Sequence, residues 1–83
     1  MYKVAFEKRA EKEFLDLPAP ARELIASKIL DLQKGQFHGD KALRGKHKGK
    51  FRKRAGNYRI IYYQKNDLLL ITIIRIAHRK EIY

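Results

Sequence analysis

Apolar and polar positions alternate from the start of the chain. Tyr2, Val4 and Phe6 are separated by Lys3 and Ala5, the period-two pattern of a short, half-buried strand. From Glu7 to Leu17 the period lengthens: Ala10, Phe14 and Leu17 fall at helical spacing among charged residues, and Pro18 and Pro20 end that helix. A second helix is predicted from about Ala19 to Lys34. Pro20 suits its first turn, Ala21, Leu24, Ile25, Ile29 and Leu32 line one face, and Gly35 sits just past its end, where a left-handed residue is wanted. Two helices joined by a short proline turn predict an antiparallel helical hairpin.

Gln36 to Lys50 has no periodicity and carries Gly39, Gly45 and Gly49, so it is predicted to be loop. Three apolar-rich segments follow, Phe51 to Ala55, Tyr58 to Gln64 and Leu68 to Ile76. The breaks between them, Gly56-Asn57 and Lys65-Asn66-Asp67, have turn chemistry, so the three form an antiparallel meander. The last segment is apolar on both faces and should be an interior strand. These elements predict a single domain over residues 1–83 of the α+β class. Its order is β-α-α-β-β-β, an antiparallel sheet with a helical hairpin packed on one face. Eighty-three residues leave no room for a second core.

Strand geometry then brings charge into the picture. Glycine at the first central position suits a two-residue type II′ turn at Gly56-Asn57. That turn pairs Ala55 with Tyr58, sets Arg54 opposite Arg59, and sets Arg52 opposite Ile61. Because side chains alternate, Arg52, Arg54 and Arg59 share one face. Like charges directly opposite on a sheet cost up to about 1 kcal/mol, and an anionic ligand lying across them would offset that cost. Arginine is suited to the task, since its planar fork grips phosphate and its plane stacks on bases. Tyr62 and Tyr63 occupy alternate faces, so one of them shares the arginine face. Lys46, Lys48 and Lys50 lie just before this sheet, placed for contacts to a nucleic-acid backbone. His78 and Arg79 continue the last strand beside the arginine face.

The charge distribution agrees. The net charge is +11. Residues 1–40 hold seven Lys/Arg against seven Asp/Glu, whereas residues 41–83 hold thirteen against two. Such one-sided self-repulsion opposes folding and points to a polyanion, and no segment is both basic and amphipathic at helical spacing, so nucleic acid fits better than membrane. Several classes are excluded. The absence of cysteine removes disulfides and thiolate metal sites, and His38, His47 and His78 are too far apart for a local metal motif. No metal or cofactor is expected. The longest apolar run is too short to span a bilayer, and the first residues lack a signal peptide's apolar core, so a soluble, cytoplasmic protein is expected. Gly45-Lys46-His47-Lys48-Gly49-Lys50-Phe51 is one residue short of a P-loop and has Phe51 in place of its Ser/Thr. Ser27 is the single serine, so a serine nucleophile is not expected.

Five stretches together resemble a known family. They are Tyr2-Lys3-Val4, Lys12 with Phe14-Leu15-Asp16-Leu17, Lys41-Ala42-Leu43-Arg44-Gly45, Arg52-Lys53-Arg54-Ala55-Gly56-Asn57-Tyr58-Arg59-Ile60-Ile61-Tyr62, and His78-Arg79-Lys80-Glu81-Ile82-Tyr83. Across essentially the whole chain this order is similar to the RelE/ParE toxin superfamily. The resemblance implies the toxin of a type II toxin–antitoxin pair, whose partners are mRNA in the ribosomal A site and an acidic cognate antitoxin. A RelE-like member is an endoribonuclease that cleaves by attack of the RNA's own 2′-hydroxyl on the adjacent phosphate, without metal. Carried onto this chain, the resemblance makes Arg59 and Arg79 the transition-state clamps and Arg52 and Arg54 the strand basic pair, with Lys53 between them as a further RNA contact. Tyr83 would stack on a base or assist proton transfer. The family's better-known pattern has lysines at the strand pair, and arginine is a poor general base. His78, the group near this clamp that titrates close to neutrality, is then a candidate for moving the proton. Two alternatives are a ParE-like inhibitor of DNA gyrase and a non-catalytic RNA- or ribosome-binding module.

Overall fold

A computed structural model of the chain describes residues 1–45 and 48–80. Strand β1 spans Lys3–Phe6, helix α1 Lys8–Leu15 and helix α2 Ala19–Gln33. Strands β2 (Lys41–Ala42), β3 (Phe51–Ala55), β4 (Tyr58–Lys65) and β5 (Leu70–His78) complete a five-stranded sheet in the order β1-β5-β4-β3-β2. Two helices pack on this sheet, as the patterning predicts. The sheet is mixed rather than wholly antiparallel, because β1 runs parallel to β5. The helices bring the chain back to the start of β1, where the Tyr2 N–H donates to Gln33 O, and the antiparallel run from β2 to β4 then brings β5 into the sheet in the direction of β1. β5, flanked by β1 and β4, is interior, in accord with its two apolar faces.

The main core lies between the helices and the sheet. Ala10, Ile25 and Leu32 of the helices meet Ala55, Ile60, Tyr62, Ile71, Ile73 and Ile76 of the strands. Phe37, Tyr62 and Phe51 stack in series, at ring-centroid distances of 6.3 and 5.8 Å. A smaller cluster of Ile61 and Ala77, with Leu43 and Ile74 against it, marks the opposite side of the sheet, called here the open face.

Two local devices set the side chains that matter below. Helix α2 ends in a left-handed glycine, Gly35 (φ 75°); the N–H of Gly35 donates to Leu32 O and that of Gln36 to Asp31 O, the doubly bonded Schellman end. The chain then turns through Phe37 to Asp40, whose N–H donates to Phe37 O. The other device is a bulge where β4 and β5 shift register beside Ile61. Glu13 of α1 takes advantage of it, accepting the Ile76 N–H at 2.9 Å and Arg75 Nε at 3.0 Å, and so ties helix to strand.

Several boundaries differ from the sequence expectation; β5, for one, continues past Ile76 to His78. Lys41–Ala42 is a strand within the stretch read as loop, short enough to show no periodicity. The last strand begins at Leu70 rather than Leu68, because Asn66–Leu68 form a single 3-10 turn and Leu69 is left-handed (φ 48°), leaving both leucines exposed. No helix among the described residues is long and apolar enough to cross a membrane.

Candidate nucleic-acid interface

The β3–β4 hairpin sets the site. Its turn has the form expected from sequence: Gly56 has φ 60°, and Asn57 is not among the residues with positive φ. Ala55 accordingly pairs with Tyr58, Arg54 with Arg59, and Arg52 with Ile61. Phe51, Ala55, Tyr58, Ile60 and Tyr62 belong to the helix-side core, so by alternation Arg52, Arg54, Arg59 and Ile61 occupy the open face. Tyr62 is wholly buried on the helix side, which makes Tyr63 the tyrosine of the arginine face.

The open face carries rows of basic groups running across the strands. In one, Lys41 of β2 lies opposite Arg52, which lies opposite Ile61. In the next, Arg54 lies opposite Arg59, which lies opposite Ala77. Like charges therefore oppose each other twice, at Lys41–Arg52 and at Arg54–Arg59. Arg59 is only 8% exposed, and its Nη1 donates to Tyr58 O at 3.3 Å, so its guanidinium is held in place rather than swinging in solvent. Arg54 is exposed and Arg52 half-buried. Arg79 extends the pairing past the end of β5, its N–H donating to Asn57 O at 2.8 Å. Arg79 itself lies in the turn that follows β5 and is exposed.

Other predicted site residues are placed differently. Lys53 turns to the helix side and is buried. Its Nζ donates to Asp40 Oδ1 at 3.0 Å and to Gln36 O at 3.1 Å, while the Tyr62 hydroxyl donates to the other Asp40 oxygen. The Lys53–Asp40 ion pair lies on the helix side, off the arginine face. Burial first, then the hydrogen bond and the negative charge of Asp40, push the Tyr62 phenol above the ordinary tyrosine range. His78 pairs with Tyr58 and meets its ring edge-on, centroids 5.7 Å apart, with Nδ1 accepting the Lys80 N–H. It therefore lies on the helix side with Tyr58, across the sheet from the arginines of β3 and β4, because a single residue of alternation separates it from Ala77. Lys48 is exposed, and Lys50, immediately before β3, offers its carbonyl to the Leu43 N–H. Lys46 and Tyr83 lie outside the described residues. Lys41 was not anticipated. A two-residue strand leaves almost no pattern, and the alternation of Lys41-Ala42-Leu43, with Leu43 packed beside Ile61 and Ala77, was its one faint signal.

Comparison with known proteins places this fold in a family. The family model of the ParE toxin of type II toxin–antitoxin systems matches residues 4–83. No curated protein sequence matches the chain. Among solved structures, the toxin–antitoxin complex RelBE2 from Mycobacterium tuberculosis is 28% identical, with a TM-score of 0.85 over 94% of this chain and 98% of that one. The RelB–RelE antitoxin–toxin complex from Methanococcus jannaschii is 30% identical, with a TM-score of 0.72 over 94% and 93%. The isolated RelE toxin of E. coli shares the fold at 21% identity, with a TM-score of 0.79 over 94% and 84%. The chain belongs to the ParE toxin family, within the RelE/ParE superfamily of toxins from type II toxin–antitoxin systems.

Proposed function

We propose that this toxin is an endoribonuclease that cuts mRNA in the ribosomal A site, with the open face of the sheet as its RNA-binding surface. The observation that carries the reading is the double opposition of like charges on that face, Lys41 against Arg52 and Arg54 against Arg59. A sheet that only needed to fold would gain from an acidic or threonine partner at either position. A polyanion laid across the rows turns the same repulsion into binding.

In the reaction a 2′-oxygen–phosphorus bond forms and the phosphorus–5′-oxygen bond breaks, leaving a cyclic phosphate and a free 5′-hydroxyl. The 2′-hydroxyl gives up a proton and the leaving oxygen takes one. Arg59 and Arg79 are assigned to the charge that builds on the phosphorane, and Arg52 and Arg54 to the flanking phosphates. Arg59 suits its role because it is held before substrate arrives. With His78 beside Tyr58 and arginine unfit as a base, the proton transfers fall to water, to Tyr83 or to the ribosome. An acidic antitoxin is the expected partner that silences this surface.

A second reading, inhibition of DNA gyrase, is favoured by the name of the matching family model, that of the ParE toxin. Purified toxin added to translating ribosomes separates the two. Message ends carrying a cyclic phosphate, with gyrase supercoiling unaffected, support the nuclease. Intact message together with loss of supercoiling supports the inhibitor.

A further inference from the structure

A cavity of about 480 Å³ opens at the β3 edge of the sheet, between α2 and the turn before β2. Its lining includes Lys28 of α2, Lys41, Arg52, Lys53 and Arg54, with Asp31 and Asp40 as its carboxylates. Asp40 is already committed to Lys53 and Tyr62. Among the described residues, Lys28, Lys41, Arg52 and Arg54 form no ion pair, and Asp31 bridges none of them. An ammonium has three donors; two of those on Lys53 are taken by Asp40 and Gln36, which leaves one for the cavity. With five Lys/Arg against two carboxylates in its walls, the concave site carries a positive excess that concentrates anions, and its size is that of ordinary ligand pockets.

We propose that this cleft is a second phosphate subsite, taking a backbone phosphate of the RNA strand after it leaves the open face. The inference rests on the nuclease reading, and adds to it a site on the far side of β3 whose distinguishing residue is Lys28. Arg52 and Arg54 belong to both surfaces, so the strand crosses from one to the other over them. Lys28 lies outside the arginine rows, and therefore reports on the cleft without touching the chemistry.

The test compares the wild-type chain with a Lys28→Gln variant, using a short single-stranded RNA with 2′-O-methyl sugars that block cleavage. Inorganic phosphate, followed by NMR at Lys28 and Lys53, serves as the second probe. Lys28 is partly exposed, so the variant should melt with the wild type. The variant is expected to bind RNA about tenfold more weakly, the loss of a charge-assisted contact. Its slope of log affinity on log salt should flatten by roughly 0.7 for each phosphate contact removed. RNA binding with unchanged affinity and slope overturns the subsite and leaves the arginine-face reading standing. No RNA binding by the wild type overturns both. In that case phosphate-induced shifts at Lys28 and Lys53 would reassign the cleft to a small phosphate compound, and their absence would remove the anion site altogether.

Discussion

Lys53 and Arg54 are neighbours in sequence with opposite fates, because a strand sends successive side chains to opposite faces. Lys53 reaches through the core edge to Asp40, with side chains only 7% and 5% exposed, so neither charge has water to fall back on. Lys53→Ala should therefore cost about 3–5 kcal/mol in urea unfolding, as expected when one partner of a buried pair is left alone. Arg54→Ala should fall within about 0.5 kcal/mol of wild type in the same measurement. Tyr62 adds a pH dependence. Its phenol is raised by burial and by Asp40, so the folded chain keeps the proton at a pH where the unfolded chain loses it. The associated stability is intact below about pH 10, the ordinary tyrosine value, and falls as pH rises beyond it. Urea unfolding between pH 8 and 11 should show this decline, and it should be shallower in Tyr62→Phe.

The β3–β4 hairpin is the element on which the site depends, and Gly56 is its weakest point to change. Its φ of 60° is unfavourable for any side chain, and an added Cβ would meet a Leu24 methyl of α2 at 3.0 Å. Gly56→Ala should cost about 1–3 kcal/mol in thermal or urea unfolding and loosen the Arg54–Arg59 register along with it. This hairpin was also the most legible part of the chain. The two-residue turn dictates register, register dictates which residues face each other, and both follow from Gly56-Asn57 between alternating segments. What sequence did not reveal has physical reasons too. The parallel β1–β5 pair is a long-range contact without a turn to announce it. Leu68 and Leu69 continue an apolar run, yet they form an exposed turn because Asn66 and Asp67 before them start a 3-10 turn. The side assigned to His78 hinged on where β5 ends its alternation, which the bulge near Ile61 shifts by one residue.

On the scale of the whole molecule, the neutral first half supplies the helices and the strongly basic second half supplies most of the sheet. Apart from its arginine rows and the polar cleft, the molecule leaves Leu15, Leu24, Leu30, Leu68 and Leu69 exposed, so a partner with acidic and apolar groups would satisfy both kinds of surface. Binding of such an antitoxin should raise the melting temperature, by about 2.7 kcal/mol of added stability at a hundredfold excess over Kd. An unchanged Tm on adding the cognate antitoxin would remove this expectation. The central claim is that the open-face arginines cut RNA, and it is tested most directly in cells by primer extension on one translated message after brief induction. Wild-type toxin should give discrete cuts inside codons. Arg59→Ala and Arg79→Ala should each reduce them about 10²–10³-fold, as when one donor to a developing oxyanion is lost, and the double variant should give none and permit growth. Undiminished killing by a folded double variant, with the message intact, would contradict the account.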